Sequence, residues 1–217
     1  MTSGRSIHSI CQDNDPVPLN KEKVELDSHA DTVVAGAVCR VLELTEKACD
    51  VYPFLNDYEP MNQAPVAKVA TAYDHPLSGE TFILIFGQAL YLGDKLRHAL
   101  IFPNQLRFNG VIVDDTPKHL SHDGKSTNSI YLPNQDVRLP LKLRGVISYL
   151  DTRDPTEYDL NNCRWLVMTN NLDWDSYDDS FAENKGRAHN ENGYTTMSYS
   201  HETRQILSSA FIVHVNH

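Results

Sequence analysis

Short runs of β-branched and aromatic residues, each closed off by a turn signal, dominate the chain from residue 23 onward. Residues 66–73 and 81–86 are two such runs, and Asp74-His75-Pro76-Leu77-Ser78-Gly79 between them supplies the turn of a hairpin. Residues 38–45 and 48–54 form a second candidate hairpin around Glu46-Lys47. Strand character continues at 111–113, 130–132, 137–143 and 146–150. A chain patterned this way cannot form a helical bundle; it is expected to be mostly β. One short helix is signalled: Pro103 in its first turn, Gln105-Leu106-Arg107-Phe108 in its body, and Asn109-Gly110 as its stop.

Composition sets the limits around this core. Residues 1–22 are polar and aperiodic and read as a flexible lead. Residues 169–217 are expected to be an acidic, largely disordered tail, with Asp173, Asp175, Asp178, Asp179 and Glu183 close together and few aliphatics until Ile206. That leaves 23–115 as the main domain and 116–168 as an additional β-rich segment. The formal net charge is −10, which argues against a protein that grips nucleic acid by its backbone. Protonating all ten His would cancel it. No apolar run approaches the roughly 18 residues that span a bilayer, so no membrane contact is expected. No secretory signal is visible, and a cytoplasmic setting with reduced thiols follows. The Cys at 11, 39, 49 and 163 fit no metal-binding spacing, and Cys39 and Cys49 are expected to be buried. Trp165 and Trp174 read as packing or interface residues.

The segment that carries chemistry is Val24-Glu25-Leu26-Asp27-Ser28-His29-Ala30-Asp31-Thr32-Val33-Val34. A hydrophobic strand runs into an Asp-Ser pair, and an Asp ending a buried strand must be hydrogen-bonded or paired. Locally this is a strand followed by an Asx-type turn. It also resembles the active-site motif of retropepsins, the retroviral and retrotransposon aspartic proteases: two aliphatics, Asp-Thr/Ser-Gly-Ala, often an acidic residue, then aliphatics. Leu26-Asp27-Ser28-His29-Ala30-Asp31 matches at all but one place, where His29 stands for the family's Gly. The second family element, about 70 residues on, resembles Ala99-Leu100-Ile101-Phe102-Pro103-Asn104-Gln105-Leu106 followed by the helix, Gly110 and Val111-Ile112-Val113. Asn104, Leu106 and Gly110 match, while Phe102 replaces a Gly and Pro103 an Arg. Ala89-Leu90-Tyr91-Leu92 and the following residues are most similar to the protease region of copia-type retrotransposon polyproteins, as in divergent algal open reading frames.

The resemblance implies a closed β-barrel with a flap hairpin at 66–86 and one short helix, followed by extra strands and the acidic tail. It implies an endopeptidase acting as a homodimer on a peptide or polyprotein substrate, with no cofactor and no metal. Asp27 of each chain would share a proton with its mate and activate water, and Ser28 would hydrogen-bond between subunits. His29, Ala30 and Asp31, with Ala70 and Thr71 from the flap, would contact substrate.

Two other readings use the same residues. The domain is a dimerisation or peptide-binding module without catalysis, because both family glycines are replaced. Alternatively, Asp27, His29 and Asp31 alternate, so an extended strand would project all three from one face as the start of a metal-dependent hydrolase site. His75, His98, His119 and His122 are the candidate further ligands, none with diagnostic spacing.

Overall fold

The computed structural model describes residues 23–52, 59–178 and 181, and the backbone of 212–214. Thirteen strands and two short α-helices occur among them. The expectation of a mostly β protein holds, because alternating and fully apolar runs both find sheet partners.

The site is built by three short strands. β1 (Lys23–Leu26) and β2 (Val33–Gly36) are joined by the loop 27–32, and β6 (Ala99–Ile101) lies between them. β6 runs parallel to β1, with Leu26 opposite Ile101, and antiparallel to β2, with Val34 opposite Leu100. Helix α1 (Pro103–Phe108) follows β6 at once, with Pro103 opening it and Gly110, at φ 78°, receiving its exit. Gly36 ends β2 where a side chain has no room, since a Cβ there would sit 1.9 Å from the carbonyl oxygen of His98.

Three long strands form the body: β3 (Arg40–Tyr52), β4 (Met61–Asp74) and β5 (Thr81–Gly93). The hairpin expected at 66–86 is present as β4–β5, longer at both ends than its apolar run suggests. The hairpin expected around Glu46-Lys47 is not: β3 continues through it unbroken. The register moves from Leu44 opposite Ala67 to Ala48 opposite Pro65, so the extra residues form a bulge instead of a turn. The Thr45 hydroxyl donates to the Val66 carbonyl and accepts the Lys47 N–H, which fixes that bulge.

Three further strands, β7 (Ile112–Asp114), β8 (Ser129–Leu132) and β9 (Val137–Pro140), make a small antiparallel sheet. β10 (Lys142–Arg144) and β11 (Ile147–Asp151) rejoin the large sheet, where β11 pairs with β1. Helix α2 (Glu157–Asn162) starts at a capping box between Thr156 and Asp159, and leads into β12 (Arg164–Thr169). β12 lies parallel to the first half of β5, end to end with β2 on the same edge. β13 (Ile212–His214) pairs with the end of β3.

The large sheet runs β10-β11-β1-β6-β2-β5-β4-β3-β13, and among the described residues no pair joins its two ends. The closed barrel expected from the resemblance is therefore not found. The boundary expected at 115/116 also does not divide the molecule, because β11 and β12 are strands of the sheet that holds β1 and β5. One hydrophobic core reaches from Val24 to Met168, with Leu84, Ile101, Leu106, Leu139 and Leu150 fully buried. Among the described residues no helix is long and apolar enough to cross a membrane. The expected lead 1–22 lies outside the described residues.

Candidate functional site

The loop 27–32 is held from below by hydrogen bonds on both of its arms. The Asp27 N–H donates to the Ile101 carbonyl at 2.9 Å, extending the β1–β6 ladder by one position. The Asp27 side chain is about one-fifth exposed, and its Oδ1 accepts the His29 N–H at 2.9 Å, the Asx turn expected from the sequence. Ser28 and His29 are exposed at the tip, and the His29 Nδ1 lies 3.7 Å from Asp27 Oδ1. Ala30 is buried. Because 27–32 is a loop, the alternation of Asp27, His29 and Asp31 does not give them a common face. Among the described residues no group of three or more His, Cys, Asp or Glu side chains gathers to hold a metal ion. Of the candidate further ligands, His75 is engaged in its own turn, where Nδ1 accepts the N–H groups of Leu77 and Ser78.

The second arm is fixed by Gln105 of α1, which is 1% exposed. Its Oε1 accepts the Val33 N–H at 2.8 Å, and its Nε2 donates to the Gln88 carbonyl of β5 at 3.2 Å. A buried amide with both ends satisfied is a specific positional lock. In the sequence Gln105 reads only as helix filling, and nothing local marks it, since Asn104 and Arg107 beside it are polar too. Asn109 extends the lock by donating to the Gln105 carbonyl and accepting the Asn170 N–H.

A cleft of about 660 Å³ opens beside this loop. Asp31 and Thr32 form one wall, and Lys47, Cys49, Gln63 and Val66 of β3 and β4 form another. Burial, with smaller contributions from Asp31 and Asp50, pushes the Cys49 thiol up to about 11. Residues 75–80 do not line this cleft; Asp74 and His75 are bound instead to Arg153 and to the Arg138 carbonyl. The turn of the hairpin expected as a flap at 66–86 thus lies away from this cleft, which β3, β4 and β5 line through Lys47, Cys49, Gln63, Val66, Gln88 and Leu90, and that expectation is corrected. Ala70 and Thr71 are corrected with it. Both are 0% exposed, and the Thr71 hydroxyl donates to the Arg153 carbonyl, so neither can meet a substrate.

The segment after β12 departs furthest from expectation. Residues 170–178 are not a detached tail. Trp174 stacks edgewise on Phe102 and Phe108, and its indole N–H donates to the Asp31 carbonyl at 2.7 Å. Trp174 is a packing residue, as its sequence reading has it, while the acidic residues around it hid that the neighbouring segment docks with it. The remaining tail residues lie outside the described set, apart from Phe181 and the β13 backbone.

The site thus presents a partly exposed carboxylate, Asp27, on a constrained turn outside the cleft lining, a second acidic residue, Asp31, four positions on at the cleft wall, and a locked scaffold beneath both. No protein-family model, curated protein or solved structure matches the chain.

Proposed function

We propose that the chain is a retropepsin-like aspartic endopeptidase of a copia-type retrotransposon polyprotein, acting as a homodimer in a cytoplasmic setting. The observation that carries this reading is the pairing of β1 with β6. The two sequence elements behind the resemblance are separated by most of the domain, yet Leu26 and Ile101 stand side by side and Asp27 hangs from the end of that ladder. A carboxylate on such a turn at a two-fold axis meets its mate, and two adjacent carboxylates share one proton. The ionised member then takes a proton from water while the protonated member gives one to the peptide carbonyl or leaving nitrogen. Ser28, exposed at the tip, is free to reach the other subunit; Asp31 meets the substrate backbone in the cleft, whose far wall is formed by β3 and β4.

The exposed His29 ring beside Asp27 favours a second reading on the same fold, a peptide-binding dimer without catalysis. Peptidase assays on the full chain and on Asp27→Asn separate the two, with sedimentation reporting the dimer. The protease reading expects hydrolysis by the full chain and a fall of about 10³-fold or more in Asp27→Asn with the dimer retained. Hydrolysis that survives Asp27→Asn sinks it. A folded dimer that hydrolyses no peptide favours the reading without catalysis.

A further inference from the structure

Residues 173–178 leave β12 and cross back over the site loop, and three anchors hold them there. The first is polar: the Asp31 carbonyl accepts the Trp174 N–H at 2.7 Å, and Asp31 Oδ2 accepts the Tyr177 hydroxyl at 3.4 Å. The second is aromatic: the Trp174 ring lies 6.1 Å from Phe102, 5.2 Å from Phe108 and 5.8 Å from Phe181, centroid to centroid. The third is ionic: Lys47, on the opposite wall of the cleft, pairs with Asp173. Asp173, Trp174, Asp175 and Asp178 themselves line the cleft, together with Glu46. Phe108 and Tyr177 stay about half exposed, so this seat is shallow and its contacts are exchangeable.

We infer that residues 173–178 are an internal ligand of this cleft, and that the cleft takes in trans a peptide bearing a large aromatic residue directly after an acidic one. The inference rests on reading the cleft as the peptide site under the proposed function. The aromatic floor of Phe102 and Phe108, the Asp31 carbonyl and the Lys47 ammonium recognise Asp173-Trp174 in the chain itself. An incoming peptide presents the same chemistry to the same four groups. Tethering gives the internal segment an effective concentration on the order of millimolar. A free peptide therefore competes poorly for the Phe102, Phe108, Asp31 and Lys47 seat until the segment is loosened, while the rest of the cleft stays open.

Asp173→Lys in the full chain sets two cations against each other at an exposed position and loosens the segment without touching the core. The probe is a fluorescent peptide with the sequence of residues 171–181, followed by anisotropy. The expected result is binding at least tenfold tighter to Asp173→Lys than to the unaltered chain, and lost when the peptide's own Trp is replaced by Ala. In a Trp165→Phe background, Trp174 emission shifts to the red on opening. Equal affinity for both chains, or unchanged Trp174 emission in Asp173→Lys, overturns the internal ligand. The two proposals fail separately: a chain that binds the probe only when opened yet cleaves nothing keeps the internal ligand and removes the protease. A chain that cleaves peptides but binds the probe equally with and without Asp173→Lys does the reverse.

Discussion

The Gln105 side chain accepts the main-chain N–H of Val33 at 2.8 Å with its oxygen and donates to the Gln88 carbonyl with its nitrogen, from a position 1% exposed. One helix residue thereby joins the end of the site loop to β5, a long strand of the core. Gln105→Leu keeps the volume and leaves a buried N–H and a buried carbonyl unpaired. Each such group costs about 1–3 kcal/mol, so chemical denaturation should show a loss of about 2–4 kcal/mol. A variant as stable as the parent refutes the lock.

Acid should weaken the fold through Arg153. Its guanidinium binds Asp159 at 2.5 Å and Asp74 at 3.1 Å, and holds both carboxyls below their ordinary range. A carboxyl depressed in the folded state contributes stability that is present above its unfolded value, about 3.9. That contribution is lost as pH falls toward the folded value. Melting temperature should therefore drop progressively below about pH 4, and Asp159→Asn should flatten that drop while lowering stability at neutral pH by about 2 kcal/mol. An acid limb of the same steepness in Asp159→Asn rules the network out as its source.

Cys49 should resist alkylation in the folded protein. It is 5% exposed, and burial together with Asp31 and Asp50 raises its thiol to about 11. The thiolate is the reactive form. Iodoacetamide at pH 8, read by peptide mass mapping, should modify Cys49 only after denaturant is added. Labelling at the rate of an unfolded control peptide would contradict the buried placement.

Gly87 sits where β12 ends and β2 begins along β5. A Cβ there would lie 2.0 Å from the Asn170 carbonyl oxygen, and the Gly87 N–H donates to the Thr169 hydroxyl. Since main chain cannot yield as a side-chain tip does, Gly87→Ala should force this junction apart. The expected loss is about 2–3 kcal/mol, accompanied by a red shift of Trp174 emission, because the segment carrying Trp174 begins there. Unchanged stability would show that the junction is looser than its geometry.

The strand content, the β4–β5 hairpin, helix α1 with its Pro103 start and Gly110 exit, and the Asx turn at Asp27 were all readable from local pattern. Each depends on residues within a few positions of one another, where side-chain periodicity and turn chemistry decide the backbone. Helix α2 is not among the elements expected from the sequence: Thr156 and Asp159 stand at capping-box spacing, but its short body carries no apolar stripe.

What only the tertiary structure decided are the long-range pairings. Glu46-Lys47 looks like a turn until β4 offers Val66 to Thr45 and turns the irregularity into a bulge. Residues 170–178 look like a solvated acidic tail until Phe102 and Phe108, far back in the chain, give Trp174 an apolar seat. The sequence by itself determined that strands would form and that Asp27 would end one of them. Which strand lies beside that Asp, which strands line the cleft and which segment docks at it were settled by burial of surfaces from distant positions, whose free energy no local window contains.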